Sequence, residues 1–154
     1  MLVACSSDLV DDTLARLREA GQRGCERVVL WLARSKDSLI WVEDAYLPPQ
    51  TAEADMFRIP PVGMTALHAE LRRRRLMVAA QVHSHPREAF HSKADDLWAI
   101  IRHEGALSLV VPNFAIETNL RNFLDETRVY QFSAFAKWIE VRGSDLEASC
   151  LRIS

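Results

Sequence analysis

Cysteine is scarce. The chain has 3 in 154 residues, Cys5, Cys25 and Cys150, with no CxxC pair among them. That excludes a disulfide-stapled scaffold and a structural zinc ribbon, and it fits reduced thiols in the cytoplasm. An excess of one charge is also missing, since 19 Lys and Arg face 21 Asp and Glu. A nucleic-acid partner held by bulk electrostatics is therefore excluded. No apolar run reaches the length of a membrane span, so no membrane partner is expected. There is no repeat and no low-complexity tract. The string LVAC at Leu2–Cys5 is read as a strand rather than a lipoprotein signal, since no basic or long apolar leader precedes it.

What the chain does have is apolar mass, 49% of its residues. That is enough for one real core and suits a single domain over 1–154. Its one basic run, Arg72 to Arg75, reads as a solvated helix end, with a docking patch for an acidic partner as the other reading.

Along the chain, helices alternate with apolar strands. MLVACS forms a short strand. SSDLVDDTLARLREAG forms a helix with Ser6, Ser7 or Asp8 as cap and Gly21 as stop. ERVVLWLAR is too apolar for an exposed strand and pairs with SLIWVEDAY through the polar turn SKDS. The proline-bracketed stretch from Pro49 to Phe57 is the expected mobile loop. A second helix (PVGMTALHAELRRRRL), a third strand (MVAAQVHSH) and a third helix (SKADDLWAIIRHEG) follow. ALSLVVPNFA, TRVYQFSAF and AKWIEVRG complete the strands, and the last eleven residues are ambiguous. The pattern predicts an α/β fold with a mixed central sheet flanked by helices.

The chemistry concentrates in AAQVHSHPREAFHSKADDLWAI, Ala79 to Ile100. Side chains alternate along a strand, so His83 and His85 point the same way and Ser84 the opposite way. Two imidazoles at a strand end make a metal-binding pair. Asp95 or Asp96, at the start of the next helix, can supply the third ligand. Two nitrogens, one oxygen and one open position describe a catalytic zinc site rather than a closed structural one. The open position would hold a water acidified by the metal. Alone, an HxH pair is as well read as two half-buried histidines, and Ser92 with Asp95 as a capping box. The order of strand, HSHP, short loop, Ser-x-x-Asp and helix makes the combination specific.

That order resembles the JAMM/MPN metalloprotease motif, His-x-His-Pro followed by Ser-x-x-Asp. The family also requires an upstream glutamate between its first helix and the next strand, where this chain has Glu26. FRIPP and LSLVVPNFA fit the family's order of elements, and the resemblance spans roughly Leu2 to Ala115. The gap from His85 to Ser92 is six residues, one shorter than usual, and His91 is an additional imidazole. Asp95 rather than Asp96 keeps the family's spacing.

The resemblance implies a cytidine-deaminase-like α/β domain and one Zn2+ per chain on His83, His85 and Asp95. It further implies Glu26 as proton shuttle and Ser92 as donor to the oxyanion. The implied activity is cleavage after the C-terminal tail of a ubiquitin-like protein, either as processing or as deconjugation. Small bacterial members of this kind are encoded beside ubiquitin-activating and conjugating-like proteins, some in antiphage operons. Such proteins and the ubiquitin-like conjugates are the implied partners. The segment Pro49 to Phe57 is expected to order as an added strand when the substrate tail binds. Its Glu53 and Asp55 would meet basic residues of that tail. Two alternatives remain. One is a non-catalytic MPN scaffold, although such members usually lose a ligand. The other is a hydrolase acting on a small substrate or a sulfur-carrier tail. Glu26 can also be read as a surface charge paired with Arg23 or Arg27, and Glu43 is a rival glutamate. Cys25 is rejected as a nucleophile, because a cysteine hydrolase would not need HSHP.

Overall fold

The computed structural model describes residues 1–90 and 99–154. It is α/β, with an eight-stranded mixed sheet in the order β10-β1-β3-β2-β6-β7-β8-β9. The strands are β1 (Leu2–Cys5), β2 (Val28–Lys36), β3 (Leu39–Tyr46), β6 (Met77–Ser84), β7 (Leu107–Val111), β8 (Arg128–Phe132), β9 (Trp138–Val141) and β10 (Leu151–Ile153). A separate two-stranded ribbon pairs β4 (Thr51–Ala52) with β5 (Phe57–Arg58). Among the described residues the helices are α1 (Ser7–Gly21), α2 (Pro61–Arg74) and the one-turn α3 (Phe123–Glu126).

The unbroken apolar run of β2 follows from burial on both faces. Val29, Trp31 and Ala33 join the cluster packed under α1. Val28, Leu30 and Leu32 join the cluster packed under α2. β2 lies between β3 and β6 and is antiparallel to both. The expected hairpin forms with Asp37 in the left-handed turn conformation, at φ 56. Ser6 caps α1 by accepting from the Leu9 N–H at 3.2 Å. The α1 seam is tied to the sheet by Trp31, whose Nε1 donates to Thr13 Oγ1 at 2.9 Å. The Thr13 hydroxyl in turn donates to the Leu9 carbonyl at 2.8 Å. Such a buried bond is worth about 1 kcal/mol net, and more is lost if one partner is left orphaned.

The sheet is curled. Laid flat, eight strands about 4.8 Å apart would separate the outer pair by roughly 34 Å. Residues 142–150 join β9 to β10, and Leu146–Cys150 form a π-helical turn. Such a link spans no more than about 25 Å, so the two edges must approach each other. The ambiguous C-terminal stretch thus closes the fold, with β10 pairing in parallel with β1, Val3 opposite Leu151. All three cysteines are free; Cys5 and Cys150 are buried and Cys25 is partly exposed. Among the described residues no helix is long and apolar enough to cross a membrane.

Two local expectations are corrected. Of the expected third helix, residues 92–98 lie outside the described residues, and residues 99–104 are not helical. The Ile100 N–H is taken by the Gln81 side chain at 3.0 Å, and His103 Nε2 donates to the Val78 carbonyl at 2.9 Å. With its polar groups held against β6 in this way, and Ile101 buried, the segment runs along the sheet instead of coiling. The stretch from Pro49 to Phe57 is also not a plain loop, since β4 and β5 already pair in the chain alone. The Arg72–Arg75 run does end α2. Arg74 meets Asp44 at 2.6 Å, and Arg75 takes the left-handed cap conformation.

Candidate metal centre

The centre sits at the carboxyl end of β6, where β6 and β7 run parallel. Strand alternation and the turn after Ser84 bring the two histidines together. His83 Nε2 and His85 Nε2 stand 3.2 Å apart, and both residues are buried. His85 Nδ1 lies 3.2 Å from the Glu88 carbonyl. A carbonyl only accepts, so Nδ1 carries the hydrogen, and Nε2 is the ring nitrogen that faces His83. Two nitrogens bound at about 2.0–2.1 Å to one tetrahedral ion stand about 3.3 Å apart. The observed pair fits that spacing.

Glu26 enters from the α1–β2 junction, and its position there is fixed from several directions. The Arg27 N–H donates to Ser84 Oγ at 3.3 Å, and the Ser84 N–H donates to the Arg27 carbonyl at 3.2 Å. The Glu26 N–H donates to the Glu53 carbonyl at 2.7 Å. Its Oε1 lies 4.0 Å from His85 Nε2, and only 3% of the residue is exposed. A solvated surface charge is therefore the wrong description. Arg23 and Arg27, its candidate surface partners, both meet Glu19 instead, at 3.7 and 3.3 Å. The rival Glu43 pairs with Arg34 at 2.9 Å on β3.

Aromatic rings flank the pair. Phe57 lies 5.4 Å from His83 between ring centres. Phe90 stands edge-on to His85 at 4.8 Å and is half exposed. A cavity of about 300 Å³ opens here, with Glu26, His85 and Phe90 in its wall. Asp55, from the turn between β4 and β5, lines the same cavity. Gln50 holds the base of that ribbon. Its side chain accepts from the Val28 N–H at 2.9 Å and donates to the Val28 carbonyl at 2.9 Å, as a further strand would.

His83, His85 and Glu26 thus converge. Ser92 and Asp95, with His91 and Asp96, lie outside the described residues. Among the described residues no three His, Cys, Asp or Glu side chains form a metal-binding group. The two imidazoles would supply half of a tetrahedral donor set. Sequence reasoning missed Gln50, Ser84 as a tether, and the turn at Asn113–Ala115 described below. The Pro112 stop was the one visible sign of that turn.

No protein-family model matches the chain. A curated relative, the probable metalloprotease y4jG of Sinorhizobium fredii, is 37% identical over 145 residues, covering 90% of this chain and 86% of that protein. The chain belongs to that protein's family. Membership in the family of a probable metalloprotease implies a metal cofactor, and the facing imidazoles are suited to hold one. The solution structure of protein DSY2949 from Desulfitobacterium hafniense superposes with a TM-score of 0.70 over 99% of this chain and 93% of that one. At 15% identity that likeness concerns the fold alone.

Proposed function

We propose that this chain is a zinc-dependent peptidase of the JAMM/MPN kind that cleaves after the C-terminal tail of a ubiquitin-like protein. The observation that carries the reading is the buried meeting of His83 Nε2 and His85 Nε2 at 3.2 Å, with the Glu26 carboxylate 4.0 Å from His85. His83, His85 and Asp95 would hold the ion. When bound, it supplies Lewis acidity for a carbonyl and acidifies water. Glu26 takes a proton from the attacking water and passes it to the departing amine, which an amide needs because amines leave poorly. Its burial removes competing solvent. Ser92 donates a hydrogen bond as negative charge develops on the carbonyl oxygen. The β4–β5 ribbon borders the cavity through Asp55 and offers backbone to an extended tail. Because the ribbon is already paired, the tail adds to a formed edge rather than ordering a loop.

The test is metal content together with cleavage of a reporter fused to a ubiquitin-like tail. Protein purified without chelator is expected to carry about one zinc per chain and to release the reporter. His83→Ala should lose metal and cleavage together. Folded protein that cleaves without any transition metal overturns the reading. A variant with Thr51 to Asp55 replaced by Gly-Ser should cleave the tail poorly, and full kcat/KM in it would remove the ribbon from substrate binding.

A further inference from the structure

Three consecutive residues without glycine, Asn113, Phe114 and Ala115, hold φ values of 53, 52 and 62. L residues rarely adopt that region even singly, so such a run survives only where its surroundings dictate it. Here both sides of the turn are held. On one side Arg18 of α1 donates from Nε to the Ala115 carbonyl at 3.0 Å and from Nη2 to the Thr118 carbonyl at 2.7 Å. On the other side the turn grips the metal-ligand loop. The Phe114 N–H donates to the His85 carbonyl at 2.8 Å, and the Asn113 N–H to the Arg87 carbonyl at 2.8 Å. Just before the turn, the Val111 carbonyl accepts from the His85 N–H at 2.9 Å. The His85 backbone is thus bonded on both its polar groups to residues 111–114.

The same turn is pressed against α1. A Cβ placed on Gly21 would lie 2.4 Å from Phe114 Cβ and 2.8 Å from the Phe114 carbonyl oxygen. Only glycine lets the helix end approach this closely. Four residues beyond Gly21, the chain continues into the Cys25–Glu26 junction. Helix α1 therefore leads into Glu26 through the chain and reaches His85 through Arg18 and the turn.

We infer that Arg18 is a positioning residue for the metal centre: by holding the left-handed turn, it fixes the backbone of His85 and so the direction of its Nε2. The inference rests on the metallopeptidase reading above, with His85 as ligand. Ligand distances tolerate only about 0.2 Å, so release of the turn should be felt at the ion. Partners that orient a ligand from outside the coordination shell typically account for 10–100-fold in metal affinity.

The experiment uses the full chain and its Arg18→Met, Arg18→Lys and Arg16→Met variants, each shown to be folded by circular dichroism. Zn2+ affinity is read by competition with a chromophoric chelator, and ligand geometry by the visible spectrum of the Co2+-loaded protein. Arg18→Met is expected to bind Zn2+ roughly 10–100-fold more weakly and to shift the Co2+ spectrum. Arg18→Lys, which keeps the charge and can hold one carbonyl, should fall between it and wild type. Arg16→Met, on the exposed face of α1 beside Asp12, should match wild type in both readouts. A folded Arg18→Met with wild-type affinity and spectrum overturns the inference, even if its melting temperature is lower. If Arg18→Met does not fold, Arg18→Lys decides by the same criteria. Wild-type protein that takes up neither metal overturns the metallopeptidase reading itself, a result distinct from a variant that binds normally.

Discussion

Replacing Glu26 with glutamine tests the proton-shuttle role proposed above at almost constant side-chain size. The side chain is buried beside His85, and glutamine has the same length and nearly the same volume. Its backbone bond to the Glu53 carbonyl does not depend on the side chain. What disappears is the capacity to accept a proton. General-base catalysis of this sort contributes about 10²–10⁴-fold, which at 1.36 kcal/mol per decade is roughly 3–5 kcal/mol of barrier. Glu26→Asp draws the carboxylate back by one carbon–carbon bond, and a misplacement of that order costs about 10²-fold. The assay is kcat/KM on a tail-linked reporter, with zinc content measured on the same samples. Cleavage should fall in the order wild type, Asp, Gln, with metal retained throughout. A glutamine variant within tenfold of wild type would refute the role, and one that loses zinc as readily as His83→Ala would make Glu26 a ligand instead.

Two further outcomes follow from the same structure. Gln50→Ala removes both bonds to Val28 and a third to the Pro48 carbonyl. It should lower stability by about 1–3 kcal/mol in denaturant titration and raise KM for the tail substrate more than it lowers kcat. Burial pushes the Cys5 thiol up from 9.0 to about 12. The folded chain therefore keeps a proton that the unfolded chain releases. This contribution is fully present below pH 9 and is lost as pH rises toward 12. Stability should fall by up to about 1.4 kcal/mol per pH unit in that window, and Cys5→Ala should flatten this part of the slope. Parallel slopes for the two proteins would remove Cys5 as the cause.

The sequence disclosed those parts of the fold that short-range physics controls. The β2 run was legible because burial on two faces leaves no polar positions, and α1 because Ser6 and Gly21 mark its ends. The facing histidines followed from strand alternation. Glu26 did not, since no local rule relates residue 26 to residue 85, and only the resemblance placed it. The ribbon was hidden because two-residue strands have no readable period. The β1–β10 pairing was hidden because it joins residues nearly the whole chain apart. The left-handed turn at Asn113–Ala115 was the least legible element, since it is imposed from outside by Arg18 and the His85 loop rather than chosen by its own residues. For the candidate site, the structure brings His83, His85 and Glu26 together, while Ser92 and Asp95 lie outside the described residues.

The distribution of thiols has a practical consequence. Cys5 and Cys150 are buried, and burial raises both thiols, to about 12 and about 11, so alkylating reagents meet neither readily. Cys25 is partly exposed and immediately precedes Glu26. A single fluorophore or fluorine tag attached there, with no engineered mutation, would report directly on events at the α1–β2 junction beside the candidate metal centre.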